Sequence, residues 1–131
     1  TPDEIRTPLD ITFGDVARLR GYTLLADSTL ILYWEALAQT EGEYSVLLHI
    51  ESSPDAPPVA VLDHAIANAI ISTRTWETGR LYRDPIALPA DLGHGDFNIL
   101  VGFKDANGEP IAAVDYEARR LPIGTLQIEM P

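Results

Sequence analysis

The chain has 131 residues, no cysteine, and 20 acidic against 9 basic side chains, which gives a formal net charge of −11. At this length we expect one domain, residues 1–131, that buries a hydrophobic core without disulfides, and the absence of cysteine excludes thiol catalysis and zinc–thiolate sites. The negative charge argues against nucleic acid and anionic membrane surfaces as partners. No apolar run approaches the roughly 20 residues needed for direct insertion across a membrane.

The chain begins with a polar, proline-bracketed segment, and residues 1–10 are predicted to be an N-terminal lead-in. Its first residues include no initiator methionine and no signal-like apolar stretch, so we expect either a domain excised from a longer protein or a mature fragment. Residues 11–25 predict two extended pieces, with a bend at Gly14–Asp15 and a weak point at Gly21.

Two long runs, residues 30–37 and 43–51, alternate between apolar and other side chains. A period of two is what a half-buried strand requires. Since the connection between the runs is short and polar, they are predicted to be an antiparallel pair that lines a core. Tyr33 falls on the opposite face, either exposed or covered by the N-terminal segment. The core faces are Leu30, Leu32, Trp34 and Ala36 in the first run and Tyr44, Val46, Leu48 and Ile50 in the second.

The middle of the chain is less regular. Residues 52–58 form a proline-rich loop, and residues 59–62 predict a short strand. Residues 64–71 are apolar and rich in alanine, so either one or two helical turns or an irregular crossover fits them; we favour a loop with some helical character. Residues 80–88 predict a strand, and Pro85 within it indicates a sheet edge or a bulge.

The last third of the chain is again strand-like. Residues 95–105 predict a central strand with Phe97, Ile99, Val101 and Phe103 in the core, and residues 105–108 predict a hairpin turn in which Asn-Gly supplies positive φ angles. Residues 111–116 and 123–130 predict two further strands. About eight short strands with little helix indicate an all-β fold, an antiparallel two-sheet β-sandwich of immunoglobulin-like or jelly-roll type.

No motif of catalysis or metal binding is present. His49, His64 and His94 lie far apart without ligand spacing, so we predict no metal site and no cofactor, and His49 is expected to be an outward, solvated ring. The acidic residues are scattered rather than paired for glycoside hydrolysis, and there is no nucleophile elbow. We therefore predict no catalytic residues and no enzymatic activity. A small hydrolase is the weakest of three functional hypotheses, after an interaction module and a carbohydrate-binding module.

The candidate ligand-binding site is the turn around Trp76. Sugar recognition uses an exposed aromatic face with hydrogen-bonding groups at its rim, and four neighbours could supply the rest: Arg74, Glu77, Arg80 and Tyr82. The competing interpretation is an inward indole that plugs the sandwich next to residues 65–71, with Arg80 and Arg83 pairing surface carboxylates. We favour the plug, because a buried indole contributes more to stability than an exposed one.

Four short motifs carry a family resemblance from about Phe13 onward. They are Leu32-Tyr33-Trp34; the strand from Val46 to His49; Trp76 and Gly79 before Arg83-Asp84; and Val101-Gly102-Phe103 before Asp105. In these motifs the chain resembles an extracytoplasmic β-sandwich accessory domain found in bacterial membrane proteins similar to dolichyl-phosphate-mannose-type glycosyltransferases. It departs from that pattern at residues 65–71, where AIANAII replaces a more polar, proline-rich stretch.

The resemblance implies a domain of unassigned function outside the cytoplasmic membrane, in a membrane-anchored or exported protein, with no active site to carry over. We therefore expect a non-catalytic accessory or interaction module. Its expected partners are other domains of the same polypeptide or an extracytoplasmic protein. The alternative is a carbohydrate-binding module with a glycan as its partner.

Overall fold

The computed structural model describes residues 5–25, 28–52, 58–69, 71–89, 95–111 and 120–128. This part of the chain forms strands and one short 3-10 helix, Ile66–Ala69. The nine strands are β1 (Thr7–Phe13), β2 (Ala17–Leu24), β3 (Thr29–Ala36), β4 (Ser45–Glu51), β5 (Ala60–Val61), β6 (Leu81–Ala87), β7 (Gly95–Lys104), β8 (Pro110–Ile111) and β9 (Arg120–Ile128). The predicted all-β class is confirmed.

The strands form two antiparallel sheets. The first has the order β1-β2-β3-β6; the second has the order β5-β4-β7, and the other edge of β7 pairs with β9 over residues 95–102 and with β8 over residues 103–104. The chain crosses between the sheets after β3, after β5 and after β6, so the two sheets of the sandwich are interleaved along the sequence. The antiparallel pairing predicted between residues 30–37 and 43–51 is wrong, because β3 pairs with β2 and β6 whereas β4 pairs with β5 and β7.

The core lies between the two sheets and has the composition that the alternation predicts. Every expected core residue of β3 and β7 is buried, as are Val46, Leu48 and Ile50 of β4, while Tyr44 is half-buried and packs against the cluster from its border. At the centre, the Trp34 ring lies 5.2 Å from Phe103 and 5.9 Å from Phe13, centroid to centroid. β3 and β4 thus line one core from opposite sheets.

The outer face of the first sheet is also covered. Tyr33 and Ile31 are almost fully buried there, although they point away from the core. The N-terminal residues supply cover, since the Arg6 amide donates to the Thr23 hydroxyl and Ile5 lies against Gly21, the residue opposite Tyr33. The lead-in is therefore shorter than the predicted residues 1–10, because β1 already begins at Thr7.

Glycine is required where strands bend. Gly14 turns the chain between β1 and β2 at φ +57°, and Gly21, at φ +149°, follows the bulge in β2. In the hairpin after β7 only Gly108 has a positive φ, +83°, so the expectation that Asn107 shares this conformation is wrong. The Gly108 amide donates to the Asp105 carbonyl, closing the turn.

Several predictions lie partly outside the described residues. These are the loops over 53–57 and 90–94, the segment 112–116 of the predicted strand 111–116, the end of the last strand at 129–130, and His94. Three predictions for the middle of the chain are confirmed, by strand β5, by the helical turn at Ile66–Ala69, and by β6 at a sheet edge with Pro85 within it. The last strand begins at Arg120, three residues before the predicted start.

Candidate functional site

The turn predicted to bind a ligand folds its indole into the protein. Trp76 is 2% exposed, and its Nε1–H donates to the Ala38 carbonyl at 2.7 Å. The indole stacks on Tyr82, with centroids 5.8 Å apart and an interplanar angle of 22°. The favoured interpretation of Trp76 as an inward plug is confirmed, and Tyr82 is the more exposed of the two rings.

Arg80 forms the outer layer of the same stack. Its guanidinium carbon lies 5.3 Å from the Tyr82 ring centroid, and its Nη1 lies 3.6 Å from Glu77 Oε1. The Glu77 amide donates to the Tyr82 hydroxyl at 2.7 Å. Four of the five predicted site residues therefore meet, and Arg80 pairs a surface carboxylate as expected. The fifth, Arg74, is exposed, and its amide donates to the Ser72 hydroxyl.

Local turns and the preceding β3–β4 connection position this cluster. The Trp76 amide donates to the Ser72 carbonyl at 2.9 Å, and the Gln39 side chain donates to the Trp76 carbonyl at 3.1 Å. Gly79, at φ +87°, lets the chain return toward β6, and its amide donates to the Ala36 carbonyl at 2.7 Å. These contacts fix both the backbone and the ring of Trp76, so the turn serves as a structural lock.

A buried hydroxyl beside the plug is equally committed to structure. Thr73 is fully buried, and its Oγ1 lies 2.8 Å from the Thr40 hydroxyl. The same oxygen accepts a hydrogen bond from the Tyr44 amide at 3.0 Å. Thr73 thereby ties the start of β4 to the loop before β6, and its oxygen is not placed beside a base as a nucleophile would be.

The most unusual polar contact of the described residues joins the two sheets through His64 and Asp84. Asp84 is fully buried on β6, and its Oδ2 lies 2.6 Å from His64 Nε2. Its other oxygen, Oδ1, accepts a hydrogen bond from the Ala67 amide at 2.8 Å. His64 forms an isolated antiparallel bridge with Val46 of β4. One carboxylate therefore holds the crossover after β5 against the edge strand of the other sheet.

Asp63 sets the orientation of the His64 ring. The Leu48 amide, which faces β5, donates to Asp63 Oδ1 at 2.8 Å instead of to the Leu62 carbonyl. The Leu62 carbonyl oxygen lies 2.7 Å from His64 Nδ1 and accepts a hydrogen bond from it. Because the Leu62 carbonyl binds Nδ1, the other ring nitrogen, Nε2, faces Asp84.

The environment of His64 favours its charged form. Burial by itself would lower its pKa, but the hydrogen bond to Asp84 and the charge of that carboxylate raise it, as do the Leu62 carbonyl and the charge of Asp63 to a lesser degree. The balance holds the pKa of His64 above its ordinary value of 6.5. The contact with Asp84 therefore stabilises the charged form of the ring.

His49 lies nearby on the outer face of the second sheet. Its side chain is only 15% exposed, and its Nε2 lies 3.7 Å from Asp63 Oδ1. The predicted outward direction is confirmed, but the predicted full solvation is wrong, because Asp63 and the strand pairing with Val61 partly enclose the ring. Among the described residues, no group of three or more histidines and carboxylates is placed to hold a metal ion.

Two open features lie on the described surface. A cleft of about 380 Å³ separates the segment Val61–His64 from residues 85–87 of β6, at the side where both sheets end in an edge strand. Beside it, Val59 and Val61 are 48% and 57% exposed, the only large exposed hydrophobic side chains of the described residues. Since Ala60 and Leu62 pack on the core, the two valines share the outward face.

The second feature is a groove of about 390 Å³ on the outer face of the first sheet. Its polar pair is Arg20 and Glu35, with Arg20 Nη1 2.9 Å from Glu35 Oε1. Arg18 Nη1 approaches the same oxygen at 3.5 Å. The remaining lining is mostly apolar: Ile5, Pro8, Leu9, Gly79 and Leu81.

Neither the His64–Asp84 pair nor the groove is predicted from the sequence. One signal was available for the pair: Asp84 alternates in phase with Tyr82 and Ile86, so an ionisable side chain falls on the core face of a strand. A buried carboxylate requires a partner, yet nothing local indicates His64, 20 residues earlier. The groove depends on where Ile5 and the first residues of β1 lie relative to β2 and β3.

Comparison with known proteins adds no relative: no family model, no curated protein and no solved structure matches this chain. Within the described ranges, no helix is long and apolar enough to span a membrane.

Proposed function

We propose that this domain is a non-catalytic interaction module that docks through the outward face of β5. The observation that carries the proposal is a pair of about half-exposed valines, Val59 immediately before the edge strand β5 and Val61 within it. Exposed edges and clustered apolar side chains are features that soluble proteins usually suppress unless a partner covers them.

The polar side chains support a non-catalytic role. Three described side chains of types that often serve in catalysis are engaged in structural contacts: His64 through both ring nitrogens, Asp84 through both oxygens, and Thr73 through its hydroxyl. A general base or nucleophile needs a lone pair that faces the substrate. Each of these groups instead joins two segments of the fold.

The partner we propose is another domain of the same polypeptide, in a membrane-anchored or exported bacterial protein with this module on the extracytoplasmic side. The family resemblance of the motifs around Trp34 and Trp76 supports this setting. The net charge of −11 supports a protein partner over nucleic acid.

Hydrogen exchange tests this function directly. The amides of residues 59–62 are measured in the isolated domain and in the intact parent protein. We expect at least tenfold slower exchange in the parent, and Val61→Ser should abolish that difference. Glu109→Ser, an exposed change in the β7–β8 hairpin, is the control and should leave it intact. Equal exchange of residues 59–62 in both contexts would rule out docking through β5.

A second candidate function, glycan binding, is favoured by the groove at Arg20 and Glu35. Sugars are bound by planar charged side chains that pair with their hydroxyls and by apolar surface against their C–H faces, and the groove supplies both. Its position differs from the site predicted around Trp76, whose indole is covered. The other four members of that predicted site, Arg74, Glu77, Arg80 and Tyr82, have exposed surface.

NMR titration with a panel of neutral oligosaccharides separates the two places. Binding in the groove should shift the amides of Arg20, Glu35 and Leu81 and should be lost in Glu35→Gln. Shifts centred on Arg80 and Tyr82 would instead support the predicted site. An unchanged spectrum at millimolar oligosaccharide would eliminate glycan binding.

A further inference from the structure

We propose that His64 is a proton-dependent latch that fastens the crossover between β5 and β6 to the inner face of β6. When the ring loses one proton, the latch opens and the cleft between Val61–His64 and residues 85–87 widens. The device is built from the hydrogen-bond geometry around a single imidazole.

The two short contacts of the His64 ring fix how many protons it carries. The Leu62 carbonyl can only accept, so His64 Nδ1 must carry a proton. The 2.6 Å contact between Nε2 and Asp84 Oδ2 requires a second proton between them. Asp84 Oδ1 already accepts the Ala67 amide. The observed geometry is therefore that of an imidazolium between two acceptors.

A neutral imidazole cannot keep both contacts. It has one N–H, so either the Leu62 carbonyl or the Asp84 carboxylate would face a nitrogen lone pair. On deprotonation the proton goes to bulk water, and two acceptors are left at hydrogen-bonding distance inside a half-buried site. In the proposed latch this repulsion drives the crossover away from β6.

The segment held by the latch is strained, so it needs the contact. Ala67 has φ +50°, a left-handed conformation that residues with a Cβ rarely adopt. Its amide is bound to the same carboxylate that pairs with His64. Loss of the ion pair therefore weakens the restraint on the helical turn Ile66–Ala69.

The charged surroundings are few. From β6 only Asp84 faces His64, since Arg83 projects to the opposite, exposed face. From the crossover itself Asp63 adds negative charge, and from β4 His49 approaches Asp63. The helical turn contributes no titratable side chain. Both carboxylates favour the protonated ring.

The sign of the pH dependence follows from the raised pKa of His64. The unfolded ring titrates near 6.5 and the folded ring at higher pH. The stabilisation is therefore fully present below pH 6.5, and it is lost as pH rises through the folded pKa. The latch is closed in mildly acidic solution and opens on the alkaline side.

NMR of the isotope-labelled wild-type domain gives the decisive measurement. The ring nitrogens of His64 should show the doubly protonated form at pH 6, with a midpoint above 6.5. The exchange protection factor of the Ala67 amide should fall at least tenfold across that midpoint. A midpoint at or below the ordinary value, or constant Ala67 protection, would overturn the proposal, and neither readout depends on a variant folding.

Variants then assign the effect to the ring. In His64→Gln the decline in unfolding free energy above pH 6.5 should disappear, because the substituted side chain does not titrate. His49→Gln is the matched control and should retain the decline. An unchanged decline in His64→Gln would show that another group causes it and would refute the latch.

Discussion

Replacing Trp34 by alanine tests the centre of the core. The side chain is fully buried between Phe13 and Phe103, at 5.9 and 5.2 Å between ring centroids. Removing a buried tryptophan costs roughly 3–5 kcal/mol through lost burial and the cavity left behind. We expect a value toward the lower end, because the indole Nε1–H has no hydrogen-bond partner among the described residues.

That unpaired N–H makes phenylalanine an informative second substitution. A buried donor without a partner costs about 1–3 kcal/mol, which Trp34→Phe recovers while it keeps an aromatic ring against Phe103. We therefore expect Trp34→Phe to destabilise the domain by less than about 2 kcal/mol, well below the loss in Trp34→Ala.

Urea titration followed by far-ultraviolet circular dichroism measures both changes, and an unchanged m-value shows that the unfolding reaction is comparable. Val61→Ala is the control for a mostly exposed apolar side chain and should change stability by at most about 0.5 kcal/mol. The reasoning is refuted if Trp34→Ala loses less than about 1 kcal/mol, or if Trp34→Phe loses as much as Trp34→Ala.

Three further predictions concern the periphery and metal dependence. Gly21→Ala should destabilise the domain by at least about 2 kcal/mol, because a Cβ there meets Ile5 and the Thr7 backbone. Gly79→Ala, with open space around the new Cβ, should cost only about 1 kcal/mol of backbone strain. Equal losses of unfolding free energy in urea titration would contradict this. In a Trp34→Phe background the emission of Trp76 should be blue-shifted and resistant to iodide, and a red-shifted, readily quenched signal would contradict its burial. Dialysis against a chelator should leave the melting temperature unchanged, and a drop of several degrees would reveal a bound cation that stabilises the native state.

Local patterns predicted the strands well because alternation is a property of neighbouring residues. Trp34 is fully buried in phase with Leu30 and Leu32, and Pro85 lies in an edge strand as its missing N–H requires. The pairing of the strands was predicted less well. The short polar loop after β3 suggested a hairpin, but a short loop can also carry the chain from one sheet to the other.

The candidate sites show the same division. The aromatic cluster around Trp76 is close in sequence, so its members were predicted together, and the need to cover apolar residues indicated the inward indole. His64 and Asp84 lie 20 residues apart, and no spacing signal in the sequence connects them. Their contact depends on Asp63 replacing a backbone acceptor of Leu48, a detail with no sequence signature.

Most strands, their apolar faces and most turns can be predicted from neighbouring residues, because they depend on backbone preference and a period of two. Three features depend instead on how the sheets pack: β3 and β4 face each other across the core, Ile5 covers Gly21, and one buried carboxylate holds the crossover after β5. Those features join residues distant along the chain. Their free energy depends on burial and proton sharing, which arise only once the sheets have packed.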